Sequence, residues 1–146
     1  MGRCYLYLDL KGDAINQDER IYKKYQWSAI LSDLRAGRNI MIHRDGIISK
    51  SDREKLFTLF NYVRSRTFII DEAAWCLNWP HQEPEIKHSI ETAFIRAKTL
   101  PHNLDHNLIM ASQFPTDIPK VFLRQMNYWV LFKVDSSVVA DLSSTG

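Results

Sequence analysis

The stretch Thr67–Asn78, TFIIDEAAWCLN, constrains the fold of this chain more than any other. Phe68, Ile69 and Ile70 are apolar without alternation and run straight into Asp71 and Glu72, after which small Ala73 and Ala74 follow. A short unbroken apolar run predicts a strand buried on both faces, hence a parallel sheet, and here it delivers two carboxylates to the strand's C-terminal edge. Open α/β sheets bind ligands at that edge.

The rest of the chain fits around such a strand. Tyr5–Leu10 (YLYLDL) predicts another, ending at Asp9 and closed by the turn Lys11-Gly12-Asp13, where Lys11 is expected to be solvated. Asp18–Leu34 predicts a helix with Ile21, Tyr25, Ala29 and Ser32 on one stripe and Gly37 just past its end. Asn39–His43 reads as a strand, and Ser51–Glu54 (SDRE) as a capping box opening a helix faced by Leu56, Phe57, Leu59, Phe60 and Val63. After the acidic pair, Trp75, Trp79 and Pro80 fall in a loop, where the tryptophans suit a subunit interface or stacking on nucleic acid, or else pack under the loop. A helix then runs from about Pro84 to Lys98. Asn107–Ser112 (NLIMAS) is a strand ending at Gln113, Pro119 opens a short helix to about Asn127, and Tyr128–Val134 (YWVLFKV) is a further strand. Strand and helix alternate throughout. That predicts an α/β fold, a mostly parallel sheet with helices on both faces, in one domain over residues 2–135 with a Ser-rich tail at 136–146.

Composition excludes little. The net charge of +2 is too small to imply nucleic acid by itself. Cys4 and Cys76 show no metal-ligand spacing, so reduced, buried thiols in an intracellular protein are expected. No apolar run approaches the length of a membrane span, and the N-terminus does not read as a signal peptide.

Asp71 and Glu72, being adjacent at a strand end, point in different directions and suit separate jobs. One carboxylate can hold a metal ion through water while the other orients or deprotonates a nucleophilic water. Alternatively the pair caps a strand or sits at the start of a helix, where negative charge is favoured. Gln113, a polar amide ending a buried strand expected beside the acidic strand end, suits sensing of a γ-phosphate, or else satisfies backbone groups of its turn. His102 and His106 (HNLDH) have the i,i+4 spacing of a zinc pair, but Pro101 and the Asn and Asp around them mark a loop.

The order of TFIIDEAAWCLN, a helix carrying Arg96, and LIMASQFPTDIPKVFLRQMNYWVLFKV resembles P-loop ATPases of the FtsK/HerA type, a group of DNA translocases and viral genome-packaging ATPases. YLYLDLKGD resembles the strand after the P-loop helix in that group. The resemblance implies a RecA-like core, with ATP and Mg²⁺ as cofactors, a homo-oligomeric ring, double-stranded DNA as partner, and a place in a host cytoplasm or a virion. By the same resemblance Asp71 is the Mg²⁺-associated acid acting through water, and Glu72 is the base. Gln113 is then the sensor, and Asp9 stands with Asp71 on the cofactor side. Arg96, ahead of the sensor strand, would complete a neighbour's site, with Arg124 on the next helix the weaker candidate; otherwise each is a solvated helix-surface arginine, the reading with more weight. Family members often read Gln-Arg-Pro where this chain has Gln113-Phe114-Pro115, so no role rests on that arginine.

What is missing is the phosphate cradle. G-x-x-x-x-G-K-[ST] opens a helix whose amides and lysine hold the phosphates, and none of the five glycines here is followed by Lys. The sequence therefore reads as the part of such a core after the P-loop strand, and a truncated gene product is the expected explanation. Hydrolysis then waits on a P-loop from outside these residues. The alternatives are a degenerate, non-hydrolysing relative serving as a binding or assembly module, and a phosphoacceptor or nuclease-like domain pairing Asp9 with Asp71 on adjacent strands.

Overall fold

The computed structural model describes residues 4–12, 20–43, 48–59, 62–77, 106–113 and 118–125, with isolated positions at 84, 88, 92, 116 and 143. In chain order these form β1 (Tyr5–Asp9), β2 (Arg20–Tyr22), α1 (Trp27–Arg35), β3 (Ile40–His43), α2 (Lys50–Leu59), β4 (Thr67–Asp71), α3 (Ala73–Leu77), β5 (Asn107–Met110) and α4 (Lys120–Gln125). The strands make one sheet in the order β2-β3-β1-β4-β5, and every pairing is parallel. The α/β class and parallel sheet expected from the unbroken apolar runs are what the chain adopts. Of the expected helix at 84–98 only residues 84, 88 and 92 are described, and all three are helical; Ser143 alone is described in the tail, and the strand Tyr128–Val134 lies outside the described residues.

Register sorts the sheet into two faces. Ile40, Leu6, Phe68 and Leu108 form one cross-strand row, and Ile42, Leu8, Ile70 and Met110 the next but one. Both rows join the core with Ile30 and Leu34 of α1, Leu56, Phe57 and Leu59 of α2, and Ala73, Cys76 and Leu77 of α3. Topology explains why these helices gather there. The crossovers β2→β3, β3→β4 and β4→β5 all step the same way along the sheet, so right-handed connections put them on one face. The opposite face carries the row Met41, Tyr7, Ile69, Ile109, whose last member is 52% exposed. Helices were expected over that face too, but those among the described residues pack on the other one.

Three local expectations are corrected. Residues 20–22 are not helical; they form β2 at the sheet edge, and α1 begins at Trp27. Tyr22 there turns into the core and donates its hydroxyl to Asp33 at 2.6 Å, while Arg20 and Arg38 each reach the same carboxylate at 2.8 Å. That network, centred on buried Tyr22 and Asp33 with the two arginines half exposed, outweighs the helical spacing of the stretch. The Tyr22 hydrogen bond first, then the charges of Arg20 and Arg38, hold the Asp33 carboxyl below its ordinary value. Next, the cap of α2 lies two residues earlier than the SDRE reading. Ser49 accepts the Asp52 N–H at 3.1 Å and donates its hydroxyl to the Asp52 carboxylate at 2.8 Å. Finally, the segment with Trp75 is helix α3 rather than loop, because Ala73, Ala74, Cys76 and Leu77 all bury against the core. No helix among the described residues is long and apolar enough to cross a membrane.

Candidate functional site

The chain leaves β1 toward β2 and β3 but leaves β4 toward β5, so the connections after these neighbouring strands diverge. A crevice outside the C-terminal ends of such a strand pair is where open α/β sheets place their ligands. The strand ends bring a polar row to that point: His43, Asp9 and Asp71 stand in register on β3, β1 and β4. Glu72 follows at once, and the end of β5 lies beside it. The sequence places its acids at this edge, and the topology makes this edge the crevice.

The two central carboxylates have different surroundings. Asp71 keeps 18% of its side chain exposed and accepts its neighbour Glu72's N–H at 3.0 Å and the Tyr7 hydroxyl at 3.4 Å. Glu72 is only 1% exposed and has a left-handed backbone, φ +55°, uncommon outside glycine. That bend turns its carboxylate toward the neighbouring strand end. There Oε1 accepts the Ser112 hydroxyl at 2.9 Å and the Gln113 N–H at 3.3 Å. The Ala73 N–H bonds the Ala111 carbonyl at 2.7 Å, clamping the start of α3 to the same strand end. A costly backbone conformation at a ligand-binding edge is a recurrent mark of functional sites.

Lys11, expected in solvent, is drawn onto the acidic pair. Its Nζ lies 3.6 Å from Asp71 Oδ1 and 3.8 Å from Glu72 Oε2, with 27% of the side chain exposed. The turn that aims it is built by Asp9, which is fully buried and accepts the Gly12 N–H at 2.9 Å. Gly12 has φ +73°, which glycine adopts without strain. The other Asp9 oxygen meets His43 Nδ1 at 2.9 Å, a partnership no spacing in the sequence revealed. Its only trace was that NIMIH and YLYLD each end on a side chain able to join such a pair. Asp9 and Asp71 do sit on adjacent strands, as a phosphoacceptor or nuclease-like site would need. Asp9, however, is turned into the protein to fix the Lys11 turn.

The remaining candidates are placed as follows. Gln113 meets Glu72 through its backbone amide, and the residue itself is exposed. Arg96 lies outside the described residues; Arg124 is exposed on α4. His106 accepts the Arg66 N–H at 3.2 Å and stands edge-on to Phe68, a packing role, while its suggested mate His102 is outside the described residues. Trp75 is 38% exposed on α3, and Trp79 is outside the described residues.

Behind the crevice, buried Arg53 of α2 spans two segments. Its Nε donates to the Cys76 carbonyl in the last turn of α3, and its Nη2 to the Ile48 carbonyl at 2.9 Å. The segment that follows Glu72 is thereby tied to α2. Burial pushes the neighbouring Cys76 thiol from its ordinary 9.0 up to about 12, against the opposing pull of the Arg53 charge. A thiol that stays protonated longer when folded adds stability that is complete below pH 9.0 and lost as pH rises toward about 12. Urea unfolding across that window should show stability falling with pH, and Cys76→Ala should flatten the fall.

Whether the site suits Mg²⁺ and ATP can be judged from these residues. Among the described residues no group of three or more His, Cys, Asp and Glu side chains converges, so a cation caged by protein alone does not fit. Mg²⁺ that keeps its waters and takes one or two carboxylates does fit, and the Lys11 ammonium already stands in for positive charge between Asp71 and Glu72. ATP fits less well, since no glycine-rich loop in the sequence could hold its phosphates. Compared with family models, curated proteins and solved structures, the chain matches none.

Proposed function

We propose that these residues supply the metal-and-water half of a nucleotide-hydrolysing site in an ATPase of the DNA-translocating or genome-packaging kind. One observation carries the reading: the Glu72 carboxylate is buried and gripped by the end of β5, while Asp71 beside it stays partly open. A gripped carboxylate is suited to take a proton from a positioned water, and an open one to hold a hydrated Mg²⁺. The phosphate half comes from a glycine-rich loop outside these residues. The ring, the DNA partner and the roles of Arg96 and Gln113 rest on the sequence resemblance alone.

A second reading is a non-hydrolysing relative that serves as a binding or assembly module. Lys11 favours it, because its charge already balances the acidic pair without a metal ion.

Calorimetry with Mg-ATP tests the proposal. The chain alone should show no tight binding, and a form carrying a glycine-rich phosphate loop should bind ATP and hydrolyse it. Tight binding by these residues alone would sink the two-half arrangement. A loop-carrying form that binds ATP yet never turns it over would leave the module reading.

A further inference from the structure

Lys11 is held over the acidic pair by a turn that leaves little freedom at its base. Asp9 is fully buried and bonded on one side to His43 and on the other to the Gly12 N–H, so the backbone beneath Lys11 is pinned. Beyond that base the lysine has a flexible four-carbon stem. Its ammonium stands nearly equidistant from Asp71 Oδ1 at 3.6 Å and Glu72 Oε2 at 3.8 Å, too far for close hydrogen bonds but near enough to offset their repulsion. The same place between the carboxylates would suit a small divalent cation, which carries twice the charge and approaches oxygens to about 2.1 Å. Both cannot occupy it.

We propose that Lys11 is a tethered counter-ion: it neutralises Asp71 and Glu72 when no metal is bound and must swing aside for a divalent cation to enter. The inference rests on the reading that Asp71 takes Mg²⁺, and it adds a gate to that reading. Coupling between the two cations is reciprocal, so the lysine weakens metal binding by the factor that metal weakens the lysine's contact. The pinned turn makes the lysine hard to lose, and the flexible stem makes it easy to displace.

Mn²⁺ titration tests this in the intact chain, read as paramagnetic broadening of the Asp71 and Glu72 amide signals. Lys11→Met should reach half-broadening at roughly tenfold lower Mn²⁺ than the unchanged protein, within the usual range of coupling between sites. Lys55→Met, which removes an exposed α2 charge outside the crevice, should leave the midpoint where it was. Without metal, Lys11→Met should melt below the unchanged protein, and saturating Mn²⁺ should close that gap. Equal midpoints for Lys11→Met and the unchanged protein would overturn the gate while leaving the metal at Asp71. Broadening that is absent throughout, or that survives Asp71→Asn, would overturn the metal assignment and the gate together.

Discussion

Arg53→Met is expected to lower the stability of the fold by about 3 kcal/mol, because it strands two buried carbonyls. Arg53 is 2% exposed, and its guanidinium bonds the Cys76 and Ile48 carbonyls. Methionine fills much of the space but donates nothing. Each dry carbonyl then costs roughly 1–3 kcal/mol, partly offset because no cation has to leave water. Lysine keeps the charge but lacks the fork that reaches both oxygens, so Arg53→Lys should recover only part of the loss. Urea unfolding measures both variants. A Met variant within about 1 kcal/mol of the unchanged protein would mean that water reaches those carbonyls.

The second large effect concerns chemistry. In a form of the protein that carries a phosphate-binding loop, Glu72→Gln should cut ATP turnover by roughly 10²–10⁴-fold, the usual contribution of a positioned general base. Glutamine keeps an oxygen to accept the Ser112 hydroxyl and the Gln113 N–H, so the fold around β5 should hold. Nucleotide binding should survive, since glutamine keeps the contacts to β5 and Asp71 still offers its carboxylate to the metal ion. Steady-state turnover beside calorimetric ATP affinity separates the two effects. Turnover that persists in the glutamine variant would remove Glu72 from the role of base.

Parts of this arrangement were legible in the sequence because their signals are local. Phe68–Ile70 declare a buried strand by the absence of alternation, and Asp71 and Glu72 then have nowhere to go but its C-terminal edge. The meeting of Glu72 with the end of NLIMAS was also foreseeable, since the strands were expected to be neighbours, although contact runs through the Gln113 backbone. Other features depended on tertiary partners. β2 was hidden because Ile21 and Tyr25 share a helical stripe with Ala29, and only the Asp33 network makes Tyr22 a strand residue. α3 was hidden by the tryptophans and proline around it, although its alanines are strong helix formers. His43 and Lys11 were beyond reach for a different reason. Each finds its carboxylate through cross-strand register or turn geometry, which the spacing of residues along the chain does not encode.

The left-handed backbone at Glu72 has a consequence over evolutionary time. Glycine or asparagine would adopt that bend more readily, so stability alone pulls the position away from glutamate. A lineage that no longer needed the acid would drift toward those residues, and one that used it would keep glutamate against that pull. The identity of this single residue among descendants of the chain thus serves as a natural record of whether the crevice still does chemistry.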